Sequence, residues 1–163
     1  ETHLAFQPGT FQMAMGKERL AALYKRADFV ACNKEEAELI LGTSGDPLSL
    51  LAGLRNIGPK IVLLTDGPRG SYATDGETVY RIPMFPDERP PLDRTGAGDA
   101  TESTIVAALA LGVPLEQALL WGPINAASVV QEVGAQKGLL SAEEIGKRLK
   151  GAPSAYRVSL THA

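Results

Sequence analysis

Residues 92–104 read LDRTGAGDATEST, setting three small residues, Gly96, Ala97 and Gly98, directly before Asp99 and an apolar run. Small residues let backbone come close to a ligand, and successive N–H groups at a helix start form a concave anion site that the helix dipole favours. Such a cradle suits a phosphoryl group in flight, with Asp99 positioned to accept the proton of an attacking hydroxyl. Phosphoryl transfer has a loose transition state, so placement of that carboxylate matters more than its basicity. A structural reading stands beside this one: aspartate is a favoured helix N-cap and glycines make turns.

Two further stretches carry chemistry of the same kind. In CNKEEAE, Asn33 closes an apolar run and Glu36 follows three residues on, the spacing of a helix capping box. The same polar groups at the C-terminal end of a sheet strand stand where ligands of open α/β folds gather, with Glu36 able to hold Mg²⁺ through its waters. In TDGPRGSY, Thr65, Gly67 and Gly70 can approach the phosphates or ribose of a nucleotide at a strand end, and Arg69 can pair with phosphate oxygens. A plain turn into a hairpin explains that stretch equally well.

The elements that must position these residues follow from hydrophobic pattern. Short β-rich runs alternate with helical stretches, which predicts an α/β layered fold with a mainly parallel sheet. Strands are expected within 3–9, 27–33 and 60–67, the last a buried apolar run between Gly58-Pro59 and Asp66-Gly67. Helices are expected over 16–26, over 34–42 with Gly42 as its stop, and from Pro47 to residue 58. Asp75-Gly76 centres a β-hairpin over 70–83, and a proline-rich loop of functional length follows over 84–94. Beyond Asp99 the chain turns helical in three stretches, 100–112, 114–134 and 141–150, and 151–163 reads as a surface extension.

The bulk numbers exclude several classes. A chain of 163 residues fits one domain and buries about 70% of its unfolded surface. Sixteen basic against nineteen acidic residues give a net charge of -3, which predicts no nucleic-acid partner. No apolar run approaches the ~20 residues that span a bilayer, so no membrane partner is expected. A single cysteine, Cys32, excludes an internal disulfide framework and fits a reducing cytoplasm, while His3 and His162 lie too far apart in sequence for a zinc constellation. The chain starts at Glu1 with no methionine and no charged-then-apolar leader, and a fragment or processed product is expected.

In this order and spacing, the three stretches resemble the C-terminal half of the PfkB (ribokinase-like) family of sugar and nucleoside kinases. NKEEAE is similar to the family's N-x-x-E element, TDGPRG to its Thr-x-Gly-x-x-Gly nucleotide loop, and DRTGAGDA to its D-T-x-G-A-G-D signature. NAASVVQEVGAQKG resembles the helix and glycine-alanine loop that flank the adenine. The resemblance implies a three-layer ribokinase-like fold and a nucleotide-binding, catalytic portion over residues 1–150, with 151–163 as a C-terminal tail. It implies ATP and Mg²⁺ as cofactors, with K⁺ in some members, and a sugar or nucleoside acceptor. Asp99 becomes the catalytic base, and the N–H groups of Gly96, Ala97 and Gly98 the anion hole. Asn33 and Glu36 organise Mg²⁺-ATP, Thr65, Gly67, Arg69, Gly70 and Asn125 fall to the nucleotide, and Asp93 with Thr95 to a monovalent cation.

The pattern departs from the family at Arg94, where a small or hydroxyl residue is usual, and at Thr101 and Glu102, where phenylalanine and small residues are common. A carboxylate at 102 repels an incoming phosphate if it faces the site, so its orientation is a test. Family members run to about twice this length, their N-terminal half supplying most substrate contacts. An isolated chain of this kind is expected either to need that half or to associate, as a homo-oligomer or with the missing portion, through its open sheet edge.

Overall fold

A computed structural model describes residues 2–87 and 89–162. The chain divides into two compact units, Glu1–Arg81 with Leu160–Ala163, and Ile82–Ser159.

The first unit carries a six-stranded mixed sheet in the order β1 (Ala5–Phe6), β2 (Phe29–Asn33), β3 (Ile61–Thr65), β4 (Ser71–Thr74), β5 (Thr78–Ile82), β6 (Ser159–His162). β1, β2 and β3 run parallel, and β4 runs antiparallel to β3. The uninterrupted apolar character of FVAC and VLL has a direct cause: Phe29–Cys32 and Val62–Leu64 are buried, as strands covered on both faces require. Helices α1 (Thr10–Met15), α2 (Ala21–Arg26), α3 (Lys34–Leu41) and α4 (Pro47–Asn56) complete this unit. Its core joins Tyr24, Ala37, Ile40, Leu50 and Leu54 to Val30, Val62 and Leu64. Burial pushes the Tyr24 phenol up to about 12, helped by nearby Cys32.

Helix boundaries follow the expected signals where caps exist. α3 stops at Gly42, left-handed at φ 71°, and α4 starts behind Asp46, whose carboxylate accepts from Leu48 N and Ser49 N. The helix expected over 16–26 is shorter. Gly16 sits at φ 84° and ends α1, a separate six-residue helix with no fully buried residue, whose Met13 and Met15 pack on the core.

The second unit packs α5 (Ala97–Ala110), α6 (Leu115–Val129) and α7 (Ala142–Lys150). α5 and α6 approach closely at Gly122: a Cβ there would lie 2.8 Å from Thr101 O and 2.9 Å from Ile105 Cδ1. α6 accommodates Pro123 within its length and ends at Val129, short of the expected 134. The residues read as a surface extension are tied down instead. Tyr156 is buried against Ile124 and Ile145, its hydroxyl donates to Leu120 O at 2.6 Å, and its ring meets Phe85 edge-on. Among the described residues no helix is long and apolar enough to cross a membrane.

Candidate active site

In the first unit, strand pairing brings two of the three stretches together. β2 and β3 are in register with Asn33 opposite Thr65, so NKEE and TDGPRG leave the sheet side by side at the C-terminal ends of parallel strands. At the first, both halves of a capping box form: Asn33 Oδ1 accepts from Glu36 N at 2.8 Å, and Glu36 Oε2 accepts from Asn33 N at 2.9 Å. The cap is thus real, and it leaves Glu36 Oε1 outside the box.

At the second, β3 runs through Thr65 into buried Asp66 and a 3-10 turn over Gly67–Arg69. Gly67 has φ 53°, and Gly70 has φ 91° with ψ -147°, a conformation open essentially to glycine alone. Asp66 N donates to Gly70 O at 2.8 Å and closes the turn on itself. The Arg69 guanidinium grips Asp66 with both Nε and Nη2, the Nε bond at 2.7 Å. That fork holds the Asp66 carboxyl below its ordinary value, with Lys34 adding to the effect. Arg69, expected on phosphate, is therefore engaged in fastening the loop. Sequence reading passed over Asp66, although the D-x-x-R spacing of DGPR signals an ion pair across one turn.

In the second unit, the Gly96–Asp99 turn is built with little slack. Gly96 is left-handed at φ 79°, and a Cβ on it would meet Ala135 Cβ at 2.6 Å and Ala135 Cα at 2.7 Å. Glycine is needed here for conformation and for room. Asp93 staples the same two segments: one oxygen accepts from Thr95 N at 2.9 Å, the other from Gly134 N at 3.0 Å. These backbone donors, Thr95 first, hold its carboxyl below the usual range. The sequence signal for this contact was the glycine-alanine loop after α6, which here underlies Gly96.

Gly96 serves as N-cap of α5 without a side-chain cap bond, at the end of the helix where the dipole is positive. Ala97 N reaches back to Arg94 O at 3.3 Å, and a Cβ on Gly98 would meet nothing within 4 Å. Gly98 and Asp99 are exposed, as is Arg94. Thr101 and Glu102 are buried, at 7% and 5% exposure, and Thr101 Oγ1 donates to Ala97 O at 2.8 Å. The glutamate of DATEST is thus withdrawn from the solvent side of α5 that Asp99 occupies.

Asn125 lies deep in α6. Its Nδ2 donates to Thr104 Oγ1 at 2.7 Å and its Oδ1 accepts from Leu140 N at 2.9 Å, tying α5 to the segment before α7. Among the described residues no group of three or more His, Cys, Asp or Glu is arranged to hold a metal ion.

Comparison with known proteins adds to this geometry. The family described as pfkB family carbohydrate kinase matches residues 6–142. The chain is 32% identical over 120 residues to an ATP-dependent 6-phosphofructokinase of Thermoanaerobacterium thermosaccharolyticum, covering 74% of this chain and 36% of that protein. The nucleoside kinase of Methanocaldococcus jannaschii, an archaeal member of the ribokinase family, superposes with a TM-score of 0.77 at 25% identity, over 93% of this chain and 49% of that one. A putative ribokinase II from E. coli, solved in complex with ATP and Mg²⁺, shares the fold with a TM-score of 0.77 at 23% identity, over 91% of this chain and 49% of that one. The chain spans about half the length of these solved kinases and little more than a third of the phosphofructokinase.

Proposed function

The chain belongs to the pfkB family of carbohydrate kinases, and we propose that residues 1–150 form the nucleotide-binding and base-bearing portion of an ATP-dependent kinase acting on a hydroxyl of a sugar or nucleoside. The observation that supports it most is the start of α5: a left-handed Gly96 wedged on Ala135, an N-terminus with no side-chain cap, and exposed Asp99 in the first turn.

Asp99 accepts the proton of the acceptor hydroxyl as that oxygen bonds to the γ-phosphorus and the bond to the leaving ADP oxygen breaks. Gly98 N–H, with the neighbouring amides of Gly96 and Ala97 and the helix dipole behind them, stabilises charge on the transferring oxygens. Mg²⁺-ATP, when bound, supplies the phosphoryl group and the metal's charge. In the first unit, Glu36 would hold Mg²⁺ through its waters, and Thr65, Gly67 and Gly70 give a side-chain-poor approach to the nucleotide. Arg69 acts by keeping that loop closed through Asp66, and Asn125 by fixing α5. Asp93 is committed to two backbone amides, and no step here runs through a monovalent cation.

The acceptor's recognition groups come from a longer chain or a partner chain, and the work is done in the cytoplasm, where ATP is abundant and the buried Cys32 stays reduced. Calorimetry with Mg²⁺-ATP, followed by turnover with a panel of sugars and nucleosides, tests the reading. Binding with turnover that Asp99→Asn abolishes supports it. Binding without turnover favours a non-catalytic nucleotide-binding module that associates with another chain. No binding removes the nucleotide reading, and turnover surviving Asp99→Asn removes the base.

A further inference from the structure

A cleft of about 700 Å³ lies within the first unit, between α4 and strands β4, β5 and β6, away from the residues assigned to phosphoryl transfer. Leu48, Leu51 and Val79 give it an apolar wall, and Arg55, Tyr72 and Arg81 give it a polar one.

The two arginines are held in unusual ways. The Arg55 guanidinium rests on bare backbone at the hairpin turn: a Cβ on Gly76, itself at φ 99°, would lie 2.8 Å from Nη2 and 2.9 Å from Nε. Arg55 Nε is buried and has no hydrogen-bond partner among the described residues. Arg81 places its Cζ 5.9 Å over the centre of the Tyr72 ring. Among the described residues neither arginine enters an ion pair.

Asp46 is the only carboxylate lining the cleft among the described residues, and it offers them little. One of its oxygens accepts from Leu48 N and Ser49 N, the other from Ser49 Oγ, so it caps α4. Among the described residues the cleft therefore gathers two cationic forks without a countercharge, one of them partly desolvated. A guanidinium in that condition is matched best by a planar or tetrahedral oxyanion, which takes two parallel N–H bonds. The Tyr72 ring and the apolar wall suit an organic body attached to that oxyanion.

We propose that this cleft is a binding site for a small organic oxyanion, a phosphate or carboxylate carried on an apolar or aromatic body, held by Arg55 and Arg81. The proposal does not rest on the kinase reading, because none of the residues assigned to phosphoryl transfer lines the cleft.

The test titrates the 163-residue chain with phenyl phosphate, phenylacetate, inorganic phosphate and benzyl alcohol, following backbone amides by NMR. Phenyl phosphate or phenylacetate is expected to bind with a dissociation constant below about 1 mM. Amides of residues 51–56 and 72–81 are expected to shift, whether or not saturating Mg²⁺-ATP is present. The stronger of the two probes identifies the head group as phosphate or carboxylate, and benzyl alcohol is expected not to bind. Arg81→Gln, at an exposed strand position, and Arg55→Lys, which keeps charge but loses the fork, each weaken binding about tenfold. Failure of both anionic probes, binding confined to residues 96–99, equal binding of benzyl alcohol, or affinity unchanged in both folded variants would overturn it.

Discussion

Two helix starts in this protein use the same backbone problem in opposite ways. α3 begins behind Asn33 with a complete capping box, so its early amides are answered by the chain's own side chains. α5 begins behind Gly96, whose lack of a side chain leaves its early amides uncapped while Gly98 presents open space. A helix start that is closed by its own residues gives local stability; one left open by glycine, with a carboxylate in its first turn, is where we propose an anion and a base to meet. The family match over residues 6–142 spans both.

Substitutions at four positions break or sharpen that contrast. Asp99→Asn removes the proposed base while leaving the helix start intact. Turnover of the acceptor is expected to fall about 10²–10⁴-fold, with Mg²⁺-ATP affinity and the unfolding midpoint nearly unchanged. Gly96→Ala attacks the open end itself. At φ 79°, with Ala135 Cα 2.7 Å from the new Cβ, it is expected to cost about 2–4 kcal/mol in urea unfolding. Gly98→Ala, two residues on with nothing to strike, is expected to gain up to about 1 kcal/mol of helix propensity while weakening phosphoryl transfer. A stabilised variant of undiminished activity would argue against close approach at Gly98.

At the closed start, Asn33→Ala is expected to lose about 1 kcal/mol, whereas Asn33→Ser keeps a cap. If Asn33 only caps, calorimetry finds Mg²⁺-ATP affinity equal in wild type and the serine variant. If it also organises the nucleotide, affinity falls although stability is retained.

The smallest effect is in acid. Asp66 titrates below its ordinary value in the folded protein because Arg69 holds it. Its contribution to stability is complete above about pH 4, the unfolded value, and is lost as pH falls through the lower folded value. In urea unfolding from pH 6 to 2, Arg69→Gln is expected to lower stability at the upper end and to converge on wild type at the lower. Asp28, bound by Lys60 and by Leu4 N and likewise depressed, keeps its own acid dependence in both proteins.

How far the sequence reached depended on range. Signals within a few residues were legible: the Asn33–Glu36 box, Pro47 behind Asp46, Gly42 as a stop, and the apolar run of β3. Contacts across long separations were not. Nothing local says that Gly96 rests on Ala135, that Asp93 bonds Gly134, or that Gly122 lets α5 approach α6. Arg69 shows what a short-range reading adds only in three dimensions: beside the ligand it invited, it pairs with Asp66, three residues back. Tyr156 likewise sits in a stretch whose local sequence reads as a tail, and only packing against Ile124 and Phe85 makes it core.

The start of α5 as an anion cradle is tested most directly by following backbone amides while Mg²⁺-ATP is added. The amides of Gly98 and Asp99 are expected to shift strongly, while that of Glu144, inside the closed capping box of α7, stays still. Saturable nucleotide binding that leaves Gly98 and Asp99 unmoved would contradict the account.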